Sequence, residues 1–288
     1  MSAATHNPLI SIVTPSLNQG AFLGDALQSV RTQRYPEYEH LVLDGGSNDD
    51  TTELLRNHAD DRLHWRSNPD DGQSAALNEG FKQARGEIIG WLNADDRYRF
   101  GCFEQVARTF REHPEIDILY GDYTFIDAAG CHLSLRREID FSHFILNYYR
   151  VLYIPTTSTF FRRRVFEDGH FLRDDLHYAM DLEFFIRLAS ENYRFHHLPR
   201  VLADFRIHPD AKSTRFLKRQ QDEHRSIVLA STPLAQRFAS MRMRQAAASL
   251  LQIPAGLMRY SEKLRKGFYF REHSASLFVQ EQLHGSDR

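Results

Sequence analysis

Two adjacent carboxylates, Asp95 and Asp96, close the segment Asn93-Ala94-Asp95-Asp96 just beyond the apolar run Glu87-Ile88-Ile89-Gly90-Trp91-Leu92. Like charges repel, and strands disfavour Asp, so the pair does little for a fold. It suits a hard cation held against phosphate oxygens, because magnesium or manganese takes one or two protein carboxylates and completes its shell from substrate phosphates and water. The plainer reading is a solvated turn, where Asp is common. Asn93 has an acceptor oxygen but no charge, and is not counted as a ligand. Other polar clusters occupy comparable places: Thr14-Pro15-Ser16-Leu17-Asn18, the run Asp44-Gly45-Gly46-Ser47-Asn48-Asp49-Asp50-Thr51, and Asp71-Gly72-Gln73-Ser74 leading to Asn78.

The elements that must position these clusters show in the apolar periodicity. Leu9 to Val13, His40 to Leu43, Leu63 to Trp65 and Glu87 to Leu92 are strand-like. Between them, Phe22 to Val30, Thr51 to Asn57 and Ala75 to Ala84 have helical spacing. Strands alternating with helices of this length predict βαβ units, a mostly parallel sheet and helices on both faces. Ligands of such sheets bind beyond the carboxyl ends of the strands, so three of the clusters should meet on one rim. After Asp117 the texture changes. Ile118 to Ile126 and His132 to Leu135 read as a hairpin, Ser158 to Phe161 as a strand and Leu182 to Ala189 as a helix. Phe195 and Val201 to Ile207 are again strand-like. From Phe216 the pattern is helical, with breaks expected at Pro233 and Pro254.

Taken together, the ordered clusters resemble those of glycosyltransferase family 2, over roughly residues 8–210. The resemblance implies a GT-A-type fold, α/β and Rossmann-like, with a mixed, mainly parallel sheet flanked by helices and here a C-terminal helical extension. It implies an inverting transfer of sugar from a nucleotide-diphosphate donor, a UDP-sugar first among candidates, to a carbohydrate or lipid-linked acceptor hydroxyl. Mn2+ or Mg2+ is the implied cofactor, and polysaccharide or glycolipid synthesis of the bacterial type the implied setting. Thr14 and Asp44, with Ser16 beside them, match positions that contact the nucleoside. Asp95 matches the residue facing the donor's ribose or sugar, and Asp96 the metal ligand. Gln73, Asn78 and Asn93 lie near the same rim, for donor contact or for local hydrogen bonding. Asp181, in Met180-Asp181-Leu182-Glu183, matches the catalytic base, although its place also suits the N-cap of the following helix. His208 matches a metal or diphosphate ligand, and Lys212, Ser213 and Thr214 could reach a diphosphate.

Charge separates the chain into two regions. Residues 212–288 carry 14 Lys and Arg against 6 Asp and Glu, whereas residues 1–211 carry 22 against 32. The division expected is a catalytic domain at 1–211, with a nucleotide-binding part at 8–115 and an acceptor part at 116–211, followed by a basic helical extension at 212–288. An acidic body argues against nucleic acid as a ligand. The basic extension could lie peripherally on anionic membrane, or its helices could pack on the catalytic domain or a second subunit. Cys102 and Cys131 are too few for a disulfide framework. No secretory signal or spanning run is evident, so a cytoplasmic location is expected. A dinucleotide-binding enzyme would need a glycine fingerprint after the first strand, and Thr14 to Gly20 has one glycine, at its end. A nucleotidyltransferase or a non-catalytic sugar-nucleotide-binding or scaffold protein on the same fold remains the alternative.

Overall fold

A computed structural model describes residues 7–149 and 151–268, without the side chains of Ser213, Thr214, Ala235 and Gln236. The first half runs β1 (Ile10–Ser16), α1 (Gly20–Arg31), β2 (Tyr38–Asp44), α2 (Thr51–Asn57), β3 (Leu63–Ser67), α3 (Gln73–Gln83), β4 (Ile88–Trp91), β5 (Arg97–Tyr98) and α4 (Cys102–Glu112). It continues with β6 (Ile118–Ile126), β7 (His132–Arg136), α5 (His143–Tyr148), β8 (Thr159–Arg162), α6 (Arg164–Glu167), α7 (Met180–Ser190) and β9 (Phe195–Arg206). Four helices follow: α8 (Lys212–Arg215), α9 (Leu217–Ser231), α10 (Pro233–Arg237) and α11 (Met241–Arg265).

All nine strands join one sheet in the order β3-β2-β1-β4-β8-β6-β9-β5, with β7 paired to β6. The β3-β2-β1-β4 part is parallel, so the ends of β1, β2 and β4 share one rim. Strand β8 enters antiparallel between β4 and β6, and β6 pairs parallel with β9. The expected strand pieces at Phe195 and Val201 are one strand. A register shift at Gly121/Asp122 absorbs Pro199 and Arg200, and so accommodates a residue that cannot donate to the ladder.

Period-2 alternation divides the core between the two faces. Ile10, Ile12, Val42 and Phe160 pack with α1 and α4. Val13, Leu41, Leu43 and Phe161 pack on the other face, with α3 and α7. The second cluster also contains Ile227, Val228 and Leu229 of α9, Leu234 of α10, and Ala248 and Ala255 of α11. Residues 212–268 are therefore built into the core beside α7. Among the described residues no helix is long and apolar enough to cross a membrane. Pro233 starts α10 as expected, but Pro254 lies inside α11 without ending it. Its ring removes the hydrogen bond to the carbonyl of Leu250, a residue 68% exposed, where water can take the place of the lost donor. Helix α11 continues to Arg265.

Two contacts fix the supports of the rim. A Cβ on Gly80 of α3 would lie 2.3 Å from Val13 Cγ1 and 2.8 Å from Leu43 Cδ2, so α3 rests on β1 and β2 only because it has no side chain there. Glu223 of α9 accepts hydrogen bonds from the backbone N–H groups of His177 (3.0 Å), Tyr178 (2.6 Å) and Ala179 (2.5 Å), and so anchors the start of α7. Gly80→Ala should lower the free energy of unfolding by roughly 1–3 kcal/mol through overpacking. Gly24→Ala, whose Cβ would sit 3.8 Å from Leu54, should cost nothing; urea midpoints compare the two. Glu223→Gln exchanges charge-assisted bonds for neutral ones, at a cost of about 1–3 kcal/mol. Its amide hydrogen exchange should accelerate at His177 to Ala179, and unchanged protection there would show that the carboxylate is not the anchor.

Candidate active site

Adjacent in sequence, Asp95 and Asp96 both line the cleft above the loop after β4 but differ in burial. Asp96 is 1% exposed, its Oδ1 accepting from the Arg206 backbone N–H at 2.9 Å and its Oδ2 from Asn93 Nδ2 at 3.1 Å and from the Thr157 hydroxyl. Burial first, and then the charge of Asp95, push the Asp96 carboxyl above its ordinary range. The Asp95 side chain is 24% exposed, and its Oδ2 lies 3.1 Å from His208 Nε2. The metal-ligand role expected of Asp96 has to compete with these internal bonds. Its oxygens are occupied by internal donors, and Asp95 is the carboxylate that meets His208.

Arg206 and His208 reach this loop at the end of β9. Arg206 is 1% exposed and donates from Nε to the Asp95 carbonyl (2.8 Å), from Nη1 to the Ala128 carbonyl (2.8 Å) and from Nη2 to Asp25 Oδ2 (2.6 Å). Phe22 of α1 lies beneath both, its ring 4.5 Å from that of His208 and 5.0 Å from the Arg206 guanidinium carbon. The sequence reading gave Arg206 and Phe22 no role. An Arg two residues before a His at a strand end was the available signal, but its four partners are spread over the chain.

The cleft above this loop has a volume of about 470 Å³ and brings together Ser16, Gln73, Asn93, Asp95, Asp181 and His208. Ser16 Oγ and Gln19 Oε1 on its wall are buried with no hydrogen-bond partner among the described residues, as polar atoms are where a ligand supplies the partner. Asn93 Oδ1 accepts from Trp91 Nε1 (2.9 Å) and Gln73 Nε2 (3.3 Å), while Lys212 Nζ donates to Gln73 Oε1 (3.1 Å). Lys212 thus reaches the cleft as expected; the side chains of Ser213 and Thr214 lie outside the described residues.

Three residues expected to contact the donor stand behind the cleft lining. Asp44 is fully buried, its carboxylate accepting from the Gly46 and Ser47 backbone N–H groups and from the Ser47 and Ser67 hydroxyls. It shapes its own glycine-rich turn and has little capacity left for a base. Thr14 is buried with Oγ1 at 2.9 Å from Nε2 of His40, whose pKa burial pushes down to about 3, leaving it neutral. Asn78 clamps the segment before α7, donating to the Leu172 carbonyl (2.9 Å) and Asp174 Oδ1 (3.0 Å) and accepting from the Leu172 N–H (2.9 Å). All three are engaged by neighbouring backbone or side-chain groups, which short polar side chains bind as readily as a ligand.

Asp181 stands in the first turn of α7, whose N-cap is Ala179, so it is not the cap. Its Oδ1 accepts from the Leu182 N–H at 2.8 Å. Burial raises its pKa to about 6, against hydrogen bonds and Lys212, which lower it. The carboxyl also lines a second, larger cavity of about 1190 Å³. That cavity is walled by Tyr148, Tyr149 and Leu152, by Val228 of α9 and by Ala248 of α11, and it shares Thr156, Asp181, Phe205 and Gln220 with the first cleft.

No three His, Cys, Asp or Glu side chains among the described residues converge to hold a metal by themselves. One carboxylate and one imidazole at the cleft, Asp95 and His208, are a donor set that suits manganese or magnesium when substrate oxygens complete the shell.

The comparisons agree with this architecture. The chain is 17% identical to Staphylococcus aureus TarS 1-349 in complex with UDP-GlcNAc, with a TM-score of 0.62 over 96% of this chain and 78% of that one. It is 17% identical to the mannosyltransferase PcManGT from Pyrobaculum calidifontis in complex with GDP-Man and Mn2+, with a TM-score of 0.60 over 91% and 76%. These likenesses show the GT-A fold, a mixed sheet flanked by helices. An O-antigen biosynthesis protein of Myxococcus xanthus is 36% identical over 131 residues, covering 44% of this chain and 10% of that protein. An uncharacterised glycosyltransferase of Rickettsia typhi is 27% identical over 241 residues, covering 79% and 72%. The chain thus spans a small part of the Myxococcus protein and most of the Rickettsia one. Residues 11–169, more than half the chain, match the family described as Glycosyl transferase family 2, and the chain belongs to that family.

Proposed function

We propose that the chain transfers a sugar from a nucleoside-diphosphate donor to an acceptor hydroxyl, in one displacement with inversion at the anomeric carbon. The observation that carries this is the position of Asp181, a carboxyl with a pKa near 6 on the wall common to the smaller cleft and the larger cavity. The smaller cleft takes the donor and the larger one the acceptor, so the carboxylate stands where the two substrates meet. The acceptor oxygen bonds to the anomeric carbon, the bond from that carbon to the diphosphate oxygen breaks, and the hydroxyl proton passes to Asp181. A base at the face opposite the leaving group gives inversion, as in inverting glycosidases.

Asp95 and His208 would hold the divalent cation, which supplies positive charge for the departing diphosphate. Asp96 and Arg206 hold the Asp95 backbone in place from below. Ser16 and Gln19 have unpaired oxygens for the donor, and Lys212 offers a cation near the same cleft. Neighbouring structures hold UDP-GlcNAc or GDP-Man, which supports a nucleotide sugar and leaves a UDP-sugar as the first candidate. Polysaccharide or glycolipid synthesis is the setting that the Myxococcus O-antigen protein suggests.

Asp181→Asn should lower turnover by about 10²–10⁴-fold while donor binding persists. A raised carboxyl pKa means that the active, ionised base is lost as pH falls, so the wild-type rate should drop below about pH 6 in proportion to the ionised fraction. A variant retaining near-normal turnover would remove Asp181 from the base role. Calorimetric titration of Mn2+ in the presence of UDP separates the two acidic neighbours. Asp95→Asn and His208→Ala should weaken metal binding by at least about tenfold. Asp96→Asn should act chiefly by lowering the melting temperature, and the reverse pattern would return the ligand role to Asp96.

A further inference from the structure

The outer face of α11 carries an apolar stripe that the fold leaves in contact with solvent. Met243, Leu250, Ile253, Leu257, Met258 and Leu264 are each 44–68% exposed. Five of them fall at spacings of 7, 3, 4 and 7, so they form one line along a 25-residue helix. The opposite face is fixed to the body: Ala248 and Ala255 are buried, and Arg259 Nη2 lies 2.7 Å from the buried Glu138 Oε2. The stripe is thus not a free helix's accident but the outward side of a docked one. The helix is predominantly basic: Glu262 is its only acid and lies 2.7 Å from Arg265, while Arg242 and Arg265 are exposed near its two ends.

We infer that this face of α11 lies on an anionic lipid surface, its apolar stripe entering the headgroup region and its terminal arginines meeting lipid phosphates. Two observations favour lipid over a second copy of the chain. A paired helical seam is flanked by complementary charges, whereas the exposed charged residues nearest this stripe, Arg242 and Arg265, are both basic, and Lys263 is buried near Glu138. The acceptor cavity also opens beside the stripe: exposed Ser249 of α11 stands on its wall, and Val151 and Leu217 on its lining are themselves exposed. A membrane against α11 would bring that cavity to the lipid, where an acceptor carried on an apolar chain resides. This last step rests on the transfer reading above; the lipid contact does not.

Flotation of the full chain tests the contact without turnover, so it can fail or succeed independently of the proposed reaction. The chain should rise with vesicles of equal parts phosphatidylglycerol and phosphatidylcholine, and less with phosphatidylcholine alone or at high salt. Combined Leu250→Ser, Ile253→Ser and Leu257→Ser should lower the bound fraction by at least about tenfold at an unchanged melting temperature. Wild-type protein that stays at the bottom, or a triple variant that rises with it, overturns the proposal. Light scattering that finds a wild-type dimer and a monomeric triple variant would also overturn it, by assigning the face to a second copy.

Discussion

A buried guanidinium holds the donor side of this molecule together. Arg206, 1% exposed, meets the loop after β4, the turn after β6 and Asp25 of α1 at one point, while its backbone N–H binds Asp96. Removing an Arg from water is expensive, and the planar fork offsets that only if its donors are matched. Here the matching groups come from segments as far apart in sequence as α1 and β9, so the loop bearing the two carboxylates is set only when the whole sheet has closed. Its effect is to sort those carboxylates. Asp96 is drawn inward as an acceptor, and Asp95, held by its carbonyl, is left with its side chain toward the cleft and His208.

Three carboxyls within one site thus have three environments, and the environments explain the roles assigned to them. Asp96 is enclosed and surrounded by donors, which suits an anchor. Asp95 is partly open beside an imidazole, which suits a cation shared with substrate oxygens. Asp181 is desolvated between two cavities, and that desolvation keeps its pKa near the range where a base both exists in ionised form and still attracts a proton. Glu223 and Lys212 act on it with opposite sign, the one raising and the other lowering its pKa. Glu223 also holds the three N–H groups leading into α7, so the same side chain sets both the place and the electrostatics of the proposed base.

What was legible in the sequence was the part governed by local periodicity. The alternation in β1, β2 and β4 revealed the strands, and parallel order placed Ser16, Asn93 and Asp95 on one rim. Roles were harder to read than places. Asp44, Thr14 and Asn78 are all polar residues at that rim, yet each is consumed by a neighbouring backbone or ring, a fact that depends on which segment passes beside it. Nothing in Asn78 itself announces that Leu172 will lie 2.9 Å away. The same holds for Pro254, which breaks a helix in isolation but not where packing on one face holds both halves and the other face is wet. Long-range partners, rather than residue type, decided each of these cases.

The two cavities divide the molecule's tasks along the chain. Walls of the smaller cleft come from the loops after β1 and β4 and from the end of β9, while the larger cavity is built from β6, residues 148–149 and 151–156, α9 and α11. The match to the family covers residues 11–169, and most residues lining the larger cavity fall after that stretch. Those residues line a cavity rich in Tyr, Val and Leu, with Gln220 and Gln221 of α9 and Gln245 and Gln252 of α11 interspersed. Rings and aliphatic chains remove apolar surface from water, while amides bind hydroxyls. A wall of both kinds suits the proposed acceptor if that acceptor is itself mixed in polarity, and it is built jointly by the sheet and by helices packed into the same core.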